Sequence, residues 1–357
     1  MSLLKYFSVR RKPGWMAILP QGGAVTLAHV VRAANSRPQV CRLDSFAVER
    51  GEADALQRLR VARELKSYAC TTLMADGDYS VSQLDAPPVP PDERREALRW
   101  ALKETVSYPL ESACIDVLDI PNTGLPSGRP SGVLVVSASE QAVRARVAPF
   151  DAAKIRLAAV DIPNAGLPPG RSAVLVVAAA EAAVRARVAS FEAAKIRLAA
   201  VDIPELAQRN VAALLEDDNR GLAFLRIDEG GMMLTLTFHG ELIAVRRGEV
   251  TSLQLNGPDA EQRARVKERL VLELQRSLDN FDRQYSHIPI SKVVVASYPL
   301  VEELVAELGE STYVPIREMD LATVMSFPGI PELRDPQCQA KHLLALGAAL
   351  RTAGAAQ

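Results

Sequence analysis

Residues 222–247 read LAFLRIDEGGMMLTLTFHGELIAVRR, three apolar segments separated by two short turn signals. The first joint contains Gly230-Gly231 and the second His239-Gly240, while the segments themselves are rich in residues that favour β-structure. Because glycine readily adopts the backbone angles of tight hairpins, this stretch predicts three consecutive antiparallel strands.

The sequence before this stretch predicts another set of three strands, and the sequence after it predicts helices and a further strand. Within residues 15–48 the segments WMAIL, AVTLAHVV and VCRLDSFAV are separated by PQGG and ANSRP, which predicts a second three-stranded meander. On the other side a long amphipathic helix is predicted at 261–286, followed by the strand SKVVVASYP and a closing helix at 338–354. Two meanders that each lead into helices and further strands predict an α/β protein with two similar lobes.

The region after the first meander contains a predicted helix at about 53–67. The strands TTLMA and YSVSQLDA follow and flank Asp76-Gly77-Asp78, which predicts a tight hairpin. The proline-rich segment at 86–92 then marks a boundary, and Asp92 is the predicted N-cap of an amphipathic helix. ACIDVLDIP, at 113–121, is predicted to form the next strand.

The stretch AAKIRLAAVDIP occurs twice, at 152–163 and at 193–204. It closes two similar segments, 119–160 and 161–201, which share the pattern loop, strand, helix, strand. Stacked repeats need about three units to bury a continuous core, so two copies favour duplication of one β-α-β unit over a solenoid. Because Pro149 removes an N–H within the first helix, we expect the second copy to hold the original position and the first to lie outside it.

The composition excludes several classes of function. Lys and Arg number 42 and Asp and Glu 43, a formal net charge of −1, and no basic stripe with interleaved aromatic residues occurs, so nucleic acid is not an expected partner. The four cysteines form no CxxC motif, which predicts buried free thiols rather than disulfides or a zinc site. No signal-peptide core and no apolar run of about 18 residues occur, so a cytoplasmic protein is expected.

Five segments spread over nearly the whole chain carry a family resemblance. They are LRWALKETVSYPLESACIDVLDIP, LAAVDIPELAQRNVAALL, IDEGGMMLTLTFHGELIAVRR, LVLELQRSLDNFDRQYSHIPISKVVV and QAKHLLALGAALR. In these segments the chain resembles the type IV pilus assembly proteins in the PilM and FtsA branch of the actin-like ATPase superfamily, and among them the mannose-sensitive haemagglutinin (MSHA) pilus biogenesis proteins. The resemblance implies a bilobed actin-like (ribonuclease H-like) fold with an inserted αβ subdomain, in which this chain carries two β-α-β units where the family has one.

The resemblance also implies a division into domains. The first lobe is expected at 1–90, completed by about 205–220 and by the C-terminal helix at 337–354. The inserted subdomain is expected at 91–204, and the second lobe at 221–336.

Actin-like ATPases bind ATP and Mg²⁺ with two glycine-rich hairpins. Backbone N–H groups face the phosphates, while a strand-end carboxylate organises the metal. The second hairpin of this chain keeps Asp228, Gly230 and Gly231 as candidate nucleotide-binding residues, although the same residues suit an ordinary turn. The first hairpin, MAILPQGGAVTL at 16–27, has no acidic residue at its turn.

The segment expected to hold the base is also altered. It reads Ala296-Ser297-Tyr298-Pro299 where the family has a glycine pair, and side chains there obstruct close approach of the backbone. Glu273, on the long predicted helix, is a further candidate for the cleft or for a solvated helix face. With two of three nucleotide elements degraded, a pseudo-ATPase without catalytic residues, metal site or firmly bound cofactor is expected. A working ATPase of the same fold is the alternative, and a sugar kinase of the superfamily would need a catalytic aspartate that the sequence does not offer.

The resemblance further implies a protein partner. We expect a PilN-like membrane protein whose N-terminal tail binds in a groove between the first lobe and the inserted subdomain. Candidate groove residues are Trp100, Leu102, Tyr108 and Ile115, and for each of them packing in the core is an equally open interpretation. Such a partner would place the protein peripherally at the inner membrane, and self-association is left open.

Overall fold

The computed structural model describes five stretches of the chain. They are residues 12–98, apart from residues 35, 76–78, 86, 88, 91–92 and 94–95, and residues 113–119, 132–139, 176–179 and 188–352, apart from residue 197. All structural statements below refer to these residues.

The described residues form strands and helices in the following order. The strands are β1 (Trp15–Gln21), β2 (Ala24–Val31), β3 (Gln39–Ala47), β4 (Ala69–Leu73), β5 (Tyr79–Asp85), β6 (Ala113–Asp119), β7 (Gly132–Ser139), β8 (Val176–Ala179), β9 (Leu198–Asp202), β10 (Gly221–Asp228), β11 (Gly231–Phe238), β12 (Glu241–Gly248), β13 (Ile290–Ser297) and β14 (Ile316–Glu318). The helices are α1 (Glu52–Ala62), α2 (Pro204–Leu215), α3 (Ser252–Leu255), α4 (Ala260–Gln284), α5 (Leu304–Ser311), α6 (Pro336–Lys341) and α7 (Leu343–Ala349).

Two five-stranded sheets share one topology. The first sheet has the order β3-β2-β1-β4-β9 and the second the order β12-β11-β10-β13-β14. In each sheet three consecutive strands pair antiparallel, and two later strands continue the sheet in parallel from the first strand of the meander. The predictions of two meanders and of two similar lobes are therefore confirmed.

The long amphipathic helix is also confirmed as α4. Leu270, Leu274 and Leu278 are fully buried on one stripe, against the second sheet. The carboxylate of Asp259 caps the helix by accepting hydrogen bonds from the backbone N–H groups of Glu261 and Gln262, at 2.8 and 3.2 Å. A side-chain cap of this kind satisfies N–H groups that the first turn leaves without intrahelical partners.

The predicted hairpin around Asp76-Gly77-Asp78 is wrong. β4 lies in the first sheet between β1 and β9, whereas β5 belongs to a separate sheet. The cause is the burial of β4, because Cys70, Thr71 and Thr72 are fully buried and the strand takes parallel partners on both edges. A turn signal between two strands fixes the local direction of the chain, but it does not fix which strands pair.

The third sheet is a closed barrel in which β5, β7, β6 and β8 follow one another. β7 belongs to the first repeat copy and β8 to the second, so both copies contribute a strand. The closing strand of the second copy, β9, leaves the barrel and pairs with β4 in the first lobe. The equivalent strand of the first copy, at 156–163, lies outside the described residues. β5, which lies before the domain boundary expected at 91, therefore pairs with strands of the insert. β9, which lies before the boundary expected at 204, pairs with a strand of the first lobe.

The second copy is also anchored to the first lobe by its helix. Residues 188–193 are helical, and Val188 and Phe191 are buried in the core that covers one face of the first sheet, together with Leu56 of α1. Both residues fall on the helix face that the repeat pattern predicts. The position of Pro149 in the first copy lies outside the described residues.

The two lobes meet where α2 crosses α7. A Cβ atom on Gly347 would lie 2.0 Å from the carbonyl oxygen of Ala207, so only glycine allows this approach. The side-chain amide of Asn210 donates a hydrogen bond of 2.9 Å to the carbonyl oxygen of Gly347. Apolar residues of both sheets surround the crossing, among them Ala17, Ala28, Leu222 and Phe224. One core therefore continues from the first lobe into the second.

We predict that Gly347→Ala destabilises the protein by about 2 kcal/mol or more, because the added methyl group meets backbone atoms that cannot rotate away. Gly309→Ala is the matched control, since a Cβ atom there has no neighbour within 4 Å and helix α5 should gain about 0.5 kcal/mol. Chemical denaturation measures both changes. Equal free energies of unfolding for the two variants would contradict the assigned helix crossing.

Candidate functional site

A cleft of about 430 Å³ lies between the lobes, and both glycine-rich hairpins open onto it. The first lobe contributes Leu19, Gln21, Gly22, Ala24, Thr26 and Ser45, and the second contributes residues 226–230, Ala296 and Tyr298. Residues 340–342 and 344–345, around the junction of α6 and α7, complete the lining. This volume falls within the range of small-molecule sites.

The acidic residue of the second hairpin is engaged within its own turn. One carboxylate oxygen of Asp228 forms an ion pair with Arg226, and the other accepts a hydrogen bond of 2.8 Å from the backbone N–H of Gly230. Gly231 has a φ of 137°, and a Cβ atom there would lie 2.7 Å from the carbonyl oxygen of Gly248. Asp228 and Gly230 line the cleft, Gly231 follows them in the same turn, and the turn itself requires glycine at position 231.

The first hairpin contributes no carboxylate to the described lining. Its turn residues Gly22 and Gly23 have φ values of 59° and 74°, and no atom lies within 4 Å of a Cβ atom built on either. The residues of β1 and β2 that face the cleft are apolar or uncharged. The acids among the described lining residues, Asp228 and Glu229, thus both belong to the second hairpin.

Tyr298, in the segment expected from the sequence to hold a base, lines the cleft together with Lys341. The ammonium group of Lys341 lies 5.7 Å from the centre of the Tyr298 ring, a cation–π contact. Next to it, burial and the positive charge of Lys341 lower the pKa of His342 to about 4. The imidazole of His342 is therefore neutral near pH 7, and Lys341 carries the positive charge on this wall.

Glu273 does not reach the described lining of the cleft. It lies in a separate surface pocket beside Gly248, where it forms an ion pair of 3.0 Å with Arg269. A Cβ atom on Gly248 would lie 2.4 Å from a carboxylate oxygen of Glu273, so this glycine makes room for the glutamate. The helix periodicity left open whether Glu273 faces the cleft or solvent, and in the structure it faces this pocket.

The candidate groove residues are only partly described. Trp100, Leu102 and Tyr108 lie outside the described residues. Ile115 lies in β6, where it is opposite Ser137 of β7 and also opposite Ala178 of β8. Both edges of β6 at Ile115 are therefore already paired.

Sequence reasoning missed a cluster at a second, larger cavity of about 720 Å³. This cavity lies between β5, the start of α2, β12 and α4. Glu205 is fully buried there, and it accepts hydrogen bonds from Tyr79 at 2.5 Å and from Arg247 at 2.6 and 2.9 Å. Arg247 also hydrogen-bonds to Tyr79 and lies 5.4 Å from its ring centre.

The sequence signal for this cluster was ambiguous. Glu205 follows Pro204 in the first turn of α2, a position at which acidic residues are favoured by the helix dipole without any long-range partner. The cluster joins three parts of the fold, since Tyr79 belongs to the barrel and Arg247 to the second lobe. A second contact, a 2.6 Å hydrogen bond from Gln83 to the hydroxyl of Tyr285, reinforces this junction.

The described residues contain no group of three or more His, Cys, Asp or Glu side chains that could hold a metal ion. Within them no helix combines the length and the hydropathy that a membrane span requires. Burial raises the pKa of the Cys70 thiol to about 12, whereas Cys41 is exposed, so the prediction that all cysteines are buried is wrong for Cys41. β3, which carries Cys41, is the edge strand of the first sheet, and its side chains are therefore half solvated.

No protein-family model and no curated protein matches the chain. Among solved structures, a chain of a PilM–PilN type IV pilus biogenesis complex superimposes with a TM-score of 0.66 at 17% identity, over 94% of this chain and 98% of that chain. The cytoplasmic domain of EpsL, an inner membrane component of the type II secretion system of Vibrio cholerae, gives 0.44 at 11% identity over 95% and 96%. A Bacteroides thetaiotaomicron protein with an actin-like ATPase fold and unknown function gives 0.43 at 8% identity over 94% and 96%. The chain has the bilobed fold of the actin-like ATPases, as predicted.

We predict a dependence of stability on pH from His342. Its pKa is about 4 in the folded protein and about 6.5 in an unfolded chain, so the unfolded state binds the proton first as the pH falls. The contribution of His342 to the free energy of unfolding is therefore constant above pH 6.5 and decreases as the pH falls from 6.5 to 4. Denaturation at pH 7 and pH 5 should show a smaller loss for His342→Gln than for the unmodified chain. An equal loss in both proteins would contradict the burial of a neutral imidazole.

Proposed function

We propose that this protein is a non-catalytic assembly component of a type IV pilus, of the MshI type in an MSHA-like system. It binds the N-terminal tail of a PilN-like (MshJ-like) inner-membrane protein in a groove between the first lobe and the inserted subdomain. The observation that carries the proposal is the likeness over almost the whole length to a chain from a PilM–PilN complex. The proposed location is the cytoplasmic face of the inner membrane, reached through the partner.

The chemistry of the cleft supports a role without catalysis. ATP hydrolysis in this fold needs a carboxylate that is free to position metal and water, but Asp228 is held by Arg226 and by its own turn. The first hairpin provides no second carboxylate among the described lining residues. Tyr298 and Lys341 contact each other where the base would lie. A pseudo-ATPase that keeps the fold for binding fits this arrangement.

The attachment of the insert supports a rigid partner groove. β9 and residues 188–193 fix the second repeat copy to the first lobe, while Tyr79 contacts Arg247 and Gln83 contacts Tyr285, which fixes the barrel to the second lobe. Because both edges of β6 are paired at Ile115, the tail is proposed to bind through side-chain pockets rather than by adding a strand there. Trp100, Leu102 and Tyr108 remain the proposed pocket residues.

The first test is binding of a synthetic peptide with the sequence of the N-terminal tail of the PilN-like protein from the same organism. Titration calorimetry should show binding to the full chain, and Trp100→Ala or Tyr108→Ala should weaken it about tenfold or more, as expected for buried aromatic anchors. Tyr313→Ala is the matched control, because Tyr313 is 67% exposed on the second lobe. Absence of binding to the folded protein would remove the main support for the proposal.

The alternative function is an ATPase whose nucleotide state regulates pilus assembly. It is favoured by the retention of both hairpins around a cleft of sufficient volume. We expect ATP with Mg²⁺ to leave the melting temperature unchanged, whereas binding at 100 times Kd would stabilise the fold by about 2.7 kcal/mol. A stabilisation that Asp228→Asn abolishes and that Glu273→Gln leaves intact would establish the alternative and contradict the pseudo-ATPase.

A further inference from the structure

The barrel places equivalent residues of the two repeat copies against the same partners. Val136 of the first copy and Val177 of the second both lie opposite Val81, one on each edge of β5. The neighbouring pair, Val135 and Val176, in the same way both lie opposite Ser82. β5 is therefore flanked on its two edges, in the same register, by the Val-Val pair that ends the segment VLVV in each copy.

β6 shows the same arrangement. Ser137 of the first copy and its equivalent Ala178 of the second both lie opposite Ile115. A shift of one residue would exchange the inward and outward faces of a strand, so the agreement at Val81, Ser82 and Ile115 defines one common register. Each of these two strands accepts the repeat strand on either edge.

Without β8 the sheet would have open edges. Among the strands that the structure describes, the remaining order would be β5-β7-β6, in which one edge of β5 and one edge of β6 have no partner. β8 pairs with residues 79–82 of β5 and with Cys114 and Ile115 of β6, so that a single short strand covers both edges. An unpaired edge presents N–H and C=O groups to any other strand, and closed barrels remove this risk.

We propose that the duplication supplies β8 as a built-in strand that covers an edge which would otherwise pair with the VLVV strand of a second molecule of this chain. The occupant is identified by the register, because Val176 and Val177 already take on this edge of β5 the positions that Val135 and Val136 take on the other edge. The second copy thus keeps the insert as a closed barrel and suppresses edge-to-edge association. This proposal depends on strand pairing alone and is independent of the pilus function.

Two deletion variants test the proposal, and each leaves one repeat unit. Removal of residues 161–201 joins Val160 to Asp202 and restores AAVDIP, while removal of 119–160 joins Leu118 to Asp161 and restores VLDIP. The local sequence at each junction is therefore native. The probe is a labelled peptide, SAVLVVAAAE, which corresponds to residues 172–181.

We expect both single-copy chains to dimerise in sedimentation velocity experiments, or to bind the peptide about tenfold more tightly than the full chain does. A peptide with proline at the position of Val177 lacks an N–H donor and should not bind. Folded single-copy chains that stay monomeric and bind no peptide would overturn the proposal. Equal binding of the peptide by the full chain would overturn it as well.

A substitution in the full chain provides the same test if the deletion variants fail to fold. Val177→Pro removes a donor from β8 and should open the covered edge, so peptide binding should increase about tenfold. Val177→Ile keeps the N–H group and is the matched control, for which no increase is expected. Failure of Val177→Pro to increase peptide binding would overturn the proposal.

Discussion

The contact between Gly347 and Ala207 is the constraint on which the rest of the structure depends. With no room for a Cβ atom between them, α2 and α7 approach until their backbones touch, and Asn210 fixes the crossing by a hydrogen bond. The apolar cluster around this point contains residues of both sheets. The two lobes are therefore two halves of one continuous core, and the cleft between their hairpins has a fixed base.

A second junction attaches the inserted barrel to this frame. The carboxylate of Glu205 is fully buried at the start of α2, directly after the strand that ends the insert, and Arg247 compensates its charge from the second lobe. Removing one partner of such a pair leaves a buried charge uncompensated, which generally costs more than the pair contributes. Tyr79 extends the contact to β5. The first lobe, the insert and the second lobe thus meet at one polar cluster, whereas apolar residues surround the crossing of α2 and α7.

The cleft shows that glycines in the hairpins of this fold can have a structural reason of their own. Gly22, Gly23 and Gly231 have positive φ angles, and Gly231 also comes close to the backbone of Gly248, requirements that are independent of a ligand. The charged side chains around them are engaged within the protein, Arg226 with Asp228 in an ion pair and Lys341 with the ring of Tyr298 in a cation–π contact. A motif of glycine and aspartate at this position therefore predicts a tight turn. It predicts a nucleotide site only when the side chains of the motif are free to contact the ligand.

The sequence by itself determined the elements whose signals are local. Both meanders, the long helix α4 with its stripe of leucines, and the burial of Val188 and Phe191 follow from turn glycines and from the periodicity of apolar residues within one segment. Only the tertiary structure decided which strands become neighbours and where single polar side chains point. β5 pairs with strands of both repeat copies instead of β4, Glu273 faces a pocket beside Gly248, and Glu205 meets Arg247 and Tyr79. These choices depend on backbone edges and charges brought together from distant parts of the chain, and periodicity within a segment carries no information about them.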